Sequence, residues 1–136
     1  MDIAVRQEND LAIVRVKGRI VRETRDELRT KLEEIILKGV RGIALDFEGV
    51  DYMDSAGLGC CAAMQKLIED RNLTGSGAHG PGALVMFGAS PTVEKMWRLI
   101  RLDLAIPFFL KEKEALERLT ASTAGRRTKT SEAAET

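Results

Sequence analysis

The chain is short of the side chains on which most metal and catalytic chemistry depends. Its 136 residues include one histidine and two cysteines, and the cysteines, Cys60 and Cys61, are adjacent. Neighbouring positions on a helix point to different sides, so these two do not bridge readily. They form no C-x-x-C pair and have no histidine at ligand spacing, so both read as small buried apolar side chains rather than as a metal or redox site. An excess of charge is missing as well. Lysine plus arginine number 21 and aspartate plus glutamate number 21, a formal net charge of zero. Without a basic surplus there is no electrostatic case for wrapping nucleic acid. No apolar run approaches the ~20 residues that a membrane span requires. Met1-Asp2-Ile3-Ala4-Val5-Arg6 lacks the basic start and apolar core of a secretory signal. A soluble, cytoplasmic chain without a cofactor is the expectation.

The means of activating a serine are absent too. Met53 stands where a nucleophile elbow, G-x-S-x-G, would place its first glycine ahead of Ser55. The one histidine, His79, falls in a glycine-rich stretch, and a serine without a positioned base is a poor nucleophile. Ser55 reads as a substrate rather than a catalyst, and no enzymatic activity is expected.

What the sequence does contain is organised around Asp51-Tyr52-Met53-Asp54-Ser55-Ala56-Gly57-Leu58-Gly59. Before it, Gly42 to Phe47 is a short apolar run of the kind that makes a buried strand. After it, Cys60 to Arg71 is helix-forming, without Pro or Gly. The nine residues between must turn a strand into a helix. Ser55 stands where an N-cap belongs, and on local chemistry alone a cap is the commoner role. The same position suits a modified serine, because a helix N-terminus offers unpaired N–H groups and about half a positive charge to an anion.

Ile3 to Gln7 reads as an edge strand and Leu11 to Gly18 as a second, antiparallel strand across the Glu8-Asn9-Asp10 turn. Thr24-Arg25-Asp26-Glu27 has the form of a capping box, followed by Leu28, Leu32, Ile35 and Ile36 at helical spacing and by Gly39 as a stop. The helix after Ser55 is expected to bury Leu58, Cys61, Met64 (or Ala62), Leu67 and Ile68. Residues 72–82 read as a loop, Ala83 to Phe87 as a strand, and Ser90-Pro91 as a cap with proline at the first helical position. Val93, Met96, Trp97 and Ile100 form one stripe, which makes Trp97 a core residue rather than a ligand platform. Ile106 to Leu110 is a short edge strand and Glu112 to Leu119 a last helix. The order β-β-α-β-α-β-α-β-α predicts an α/β fold: a mixed, mostly parallel sheet with helices largely on one side. Residues 121–136 lack any large apolar side chain and read as a disordered polar tail after a single domain over 1–120. Gly75 to Gly80 spells G-x-G-x-x-G, but after a helix and before a strand, the reverse of the order a dinucleotide site needs.

Asp54-Ser55-Ala56-Gly57-Leu58-Gly59, behind Ala44 to Met53, resembles the signature of STAS-domain anti-sigma-factor antagonists, and the order of elements matches from about residue 2 to residue 120. The resemblance implies a STAS fold and a non-enzymatic binding switch that sequesters an anti-sigma factor and frees a sigma factor. It implies that Ser55 is phosphorylated by that partner, itself a serine kinase supplying ATP and Mg²⁺, and restored by a metal-dependent serine phosphatase. Asp54, Ser55, Ala56, Gly57, Leu58 and Gly59 would form the partner surface, with Arg19 beside them. Arg19 marks a departure: family members commonly carry an acidic residue shortly after the second-strand glycine, whereas this chain reads Gly18-Arg19-Ile20-Val21. The rival expectation is a structural STAS subunit of a signalling assembly, or of a lipid or anion transporter.

Overall fold

The structure, a computed structural model, describes residues 1–74 and 83–120. Its strands are β1 (Asp2–Glu8), β2 (Leu11–Ile20), β3 (Gly42–Met53), β4 (Ala83–Phe87) and β5 (Phe108–Phe109). They lie side by side in chain order, β1 antiparallel to β2 and every later neighbour parallel. Helices α1 (Arg25–Leu37), α2 (Ser55–Thr74) and α3 (Pro91–Leu99) fill the three crossovers. A 3₁₀ turn follows at Leu102–Leu104, and residues 112–120 form α4.

Each parallel strand is added on the same side of its predecessor, so right-handed crossovers carry all three helices to one face. The packing agrees. Leu28, Leu32, Ile35 and Ile36 of α1, Leu58, Cys61, Met64 and Ile68 of α2, and Val93 and Trp97 of α3 share one core with Val14, Val16, Ile20, Ile43, Leu45 and Phe47. On the other face a smaller cluster joins Leu11, Ile13, Ala44, Val85 and Phe87 to Ala115 and Leu119 of α4. The mixed, mostly parallel sheet with helices largely on one side is therefore the architecture observed.

Local signals account for much of it. Gly39 takes φ +97° just past α1, and its N–H donates to the Ile36 carbonyl at 3.0 Å. Ser90 caps α3, accepting from the Val93 N–H at 3.3 Å ahead of Pro91. Trp97 is fully buried; its indole N–H donates to the Ile106 carbonyl at 2.9 Å, and its ring meets Phe47 edge-on at 6.1 Å. Cys60 and Cys61 are both free and buried, and burial pushes both thiols up.

Several readings need correction, among them the last strand, which is only Phe108–Phe109. β3 does not stop at Phe47 but continues to Met53, paired with β2 through two bulges. β2 in turn runs to Ile20, two residues past Gly18. α2 runs on to Thr74, so the connection to β4 is shorter than 72–82. Thr24 makes no capping box: its hydroxyl donates to the Arg19 carbonyl at 2.6 Å and accepts from the Val21 N–H at 3.0 Å, which ties down the loop before α1 instead. Ile100 lies outside the core because α3 ends at Leu99 and Arg101, at φ +61°, turns the chain away. The G-x-G-x-x-G string, His79 and the tail over 121–136 lie outside the described residues.

Candidate functional site at the head of helix α2

β4 pairs with β3 only as far as Asp46↔Phe87, whereas β2 and β3 run on together to Ile20↔Met53. Their ends project past the rest of the sheet. Ile20 and Met53 are both fully buried, and a single residue, Asp54, links β3 to α2. The Asp54 N–H donates to the Ile20 carbonyl at 3.3 Å, while the Asp54 carbonyl accepts from the Leu58 N–H at 3.0 Å and so begins the helix.

The N-cap is Asp54, not Ser55. One carboxylate oxygen accepts from the Gly57 N–H and the other from the Arg22 N–H, each at 3.0 Å. With one oxygen for each, the carboxylate spans amides on two different segments, and the cap falls one residue earlier than the sequence suggests. Asp54 thereby ties the loop after β2 to the first turn of α2. The Gly57 N–H, and after it those of Arg22 and Ala56, hold its carboxyl below the usual carboxylate range, against the desolvation that accompanies them. Because the folded-state value is depressed, the stability this tie contributes is present above the ordinary carboxylate value and lost as pH falls through the lowered one. Asp54→Asn keeps one acceptor and loses the other. It should melt below wild type by a margin constant above about pH 5, narrowing as pH drops under about 4. Thermal unfolding across pH checks this, and a margin that grows toward acid would contradict it.

Ser55 is the first helical residue. It is exposed, and its hydroxyl makes no hydrogen bond among the described residues. Gly57 and Leu58 are buried. A Cβ on Gly57 would lie 2.3 Å from the Ile20 carbonyl oxygen, so this glycine exists to let α2 close on β2. Leu58 anchors the same turn in the main core. Ala56 is half-buried, while Gly59 is exposed with nothing within 4 Å of the position its side chain would take. Arg19 is exposed and lies over the Tyr52 ring, its guanidinium carbon 5.3 Å from the centroid. The residues named from sequence thus divide: Arg19, Asp54, Ser55, Ala56 and Gly59 reach the surface at one end of the sheet, and Gly57 and Leu58 build the turn from inside. Tyr52 was not singled out from sequence. No period marks it, because the bulge leaves two exposed residues, Asp51 and Tyr52, between the buried Val50 and Met53.

Among the described residues no group of three or more His, Cys, Asp or Glu is placed to hold a metal ion, and no helix is long and apolar enough to cross a membrane. The sequence pattern of the STAS domain matches residues 2–115. The chain belongs to the STAS domain family. A relative, the anti-sigma F factor antagonist of Paenibacillus polymyxa, is 25% identical over 120 residues, which cover 88% of this STAS domain chain and 95% of its own. Among solved structures, an anti-sigma factor antagonist from Mycobacterium paratuberculosis superposes with a TM-score of 0.74 at 18% identity, covering 88% of this chain and 93% of its own. The Bacillus cell fate determinant SpoIIAA in its phosphorylated form gives 0.63 at 21% identity, over 86% and 98%. A sulfate transporter family protein from Wolinella succinogenes gives 0.64 at 14% identity, over 83% and 87%, so the fold by itself serves more than one role.

Proposed function

We propose that this STAS domain is an anti-sigma-factor antagonist acting in the cytoplasm, and that Ser55 is the phosphoacceptor of a binding switch. Unmodified, the surface around Ser55 docks on an anti-sigma factor that is also a serine kinase, and so frees a sigma factor. Phosphorylation adds ~1.5 to 2 negative charges at that surface and drives the partners apart, by repulsion and by the cost of desolvating the phosphate. A metal-dependent serine phosphatase resets the hydroxyl.

The observation that carries the reading is Ser55 itself: an exposed hydroxyl without an internal partner, on a helix head whose geometry Asp54 and Gly57 fix without it. A serine serving as the cap would have to break its own hydrogen bond to react. This one does not. The P. polymyxa relative, named as an antagonist over nearly its whole length, adds support from outside the site.

The test is a panel. Serine-kinase anti-sigma factors from the source genome are purified one by one, titrated with the protein, and incubated with it and ATP. Mass spectrometry should place a stoichiometric phosphate on Ser55 and none on Ser76, Ser90, Ser122 or Ser131, and Ser55→Ala should abolish it. Label persisting in Ser55→Ala, or a panel without a single binder, would favour the structural-subunit role that the transporter-family neighbour represents.

A further inference from the structure

Three cations alternate along β2 with buried side chains: Arg15, Lys17 and Arg19 are exposed, and Val14, Val16 and Ile20 are buried. They occupy the sheet face turned away from α1, α2 and α3. Arg15 reaches Asp46 at 3.3 Å, and Lys17 stands opposite Asp2 of β1. Like Lys17, Arg19 forms no ion pair and no side-chain hydrogen bond among the described residues; what sets it apart is the Tyr52 ring on which it lies.

The bulges bring this pair about. Register passes from Arg15↔Asp46 to Lys17↔Gly49 and from Gly18↔Val50 to Arg19↔Tyr52, so β3 carries an extra residue at each step. Such insertions bend a strand and re-aim its side chains. Here they set Tyr52 beside Arg19 just before the buried Ile20↔Met53 pair, two and three residues ahead of Asp54 and Ser55. The Arg19 backbone is fixed as well, its carbonyl accepting from the Thr24 hydroxyl at 2.6 Å, and the loop that follows is tied to α2 through Arg22 and Asp54. A guanidinium with its fork of donors unused, laid on an aromatic ring and mounted on a pinned backbone, loses little freedom on binding.

We infer that Arg19, stacked on Tyr52, is the specificity-determining contact of this surface and takes a carboxylate of the anti-sigma partner. The inference rests on the antagonist reading and adds the chemistry of the partner's face to it. A planar fork matches a carboxylate in bidentate fashion. A nucleic-acid backbone would need a row of available cations, and Arg15 on this face is already paired with Asp46, whereas one carboxylate needs only the fork. Arginine and tyrosine are also the side chains on which interface energy tends to concentrate. Phosphorylated Ser55 would place a rival anion at the same end of the sheet.

The probe is the member of the kinase panel that binds the wild-type protein. Arg19→Gln should weaken binding about tenfold, and Arg19→Lys, which keeps the charge and loses the fork, about fivefold. Tyr52→Phe should bind as wild type and Tyr52→Ala between wild type and Arg19→Gln. Raising the salt should weaken the wild-type complex more than the Arg19→Gln complex. Arg19 is exposed, so each variant should keep the wild-type circular dichroism spectrum. Arg19→Gln binding within twofold of wild type overturns the inference, and so does a loss with unchanged salt dependence, which would mean that Arg19 packs rather than pairs. If Ser55→Asp weakens binding while Arg19→Gln does not, the antagonist reading stands and this contact falls. A panel without a binder overturns both.

Discussion

Gly57→Ala is expected to destabilise the domain by about 2 kcal/mol, the middle of the range for forcing a methyl group into packed structure. The added Cβ would lie 2.3 Å from the Ile20 carbonyl oxygen, 2.9 Å from Ile20 Cγ2 and 3.1 Å from the Ile20 carbonyl carbon. Two of these atoms are backbone, in a strand paired with β3 at this position (Ile20↔Met53), so the obstruction cannot rotate out of the way. Relief requires α2 to swing off β2, which strains the bond from the Asp54 N–H to that same carbonyl and the cap behind it. For a domain of this size the loss corresponds to a fall of roughly 8 °C in the thermal midpoint. Gly59 is the internal control. Nothing lies within 4 Å of its missing side chain, so Gly59→Ala should stabilise the helix by up to about 1 kcal/mol through propensity alone. Thermal unfolding of the two variants by circular dichroism checks both signs. A Gly57→Ala protein as stable as wild type would mean that α2 does not close on Ile20.

The contrast between these glycines shows where the sequence is legible. Leu28, Leu32, Ile35 and Ile36, or Val93 and Trp97, announce their helix faces by spacing, because burial of one stripe is a repeated choice that leaves a period. The sheet order follows from strands alternating with helices together with crossover handedness. What stayed hidden is set by single contacts, most of them over long sequence separations. Glu48, Gly49 and Asp51 look like turn residues and become strand because β2 supplies a partner across the bulges. Thr24 begins a string that reads as a capping box, yet the nearby Arg19 carbonyl competes successfully for its hydroxyl. Asp54 and Ser55 are both good N-cap residues, and the choice between them turns on the Arg22 N–H, 32 residues away in the chain. In the candidate site, then, the motif located the helix head and its serine. The division of Asp54-Ser55-Ala56-Gly57-Leu58-Gly59 into residues that face outward and residues that hold the turn needed the fold.

That division frames the largest functional effect expected. Ser55→Asp should weaken binding to the anti-sigma partner at least tenfold, about 1.4 kcal/mol, while the fold is kept. Ser55 makes no hydrogen bond that the change would break, and Asp54 and Gly57 set the first turn independently of it. An acidic group at the first helical position is favoured by the helix N-terminus by about 0.3 to 1 kcal/mol when it is exposed to water. Stability should therefore hold or rise slightly. The same favourable, hydrated state is what a docked partner would have to strip away, and the charge would stand at the same end of the sheet as the Arg19 fork. Both effects act against the complex and neither acts on the free protein. Ser55→Ala removes only a hydroxyl, so it should bind about as tightly as wild type and, unlike wild type, stay bound when ATP is added. Titration calorimetry with the three proteins and the kinase, with and without ATP, reads all of this directly. Equal affinities for Ser55→Asp and Ser55→Ala would remove the charge-driven switch and leave the head of α2 as a structural turn.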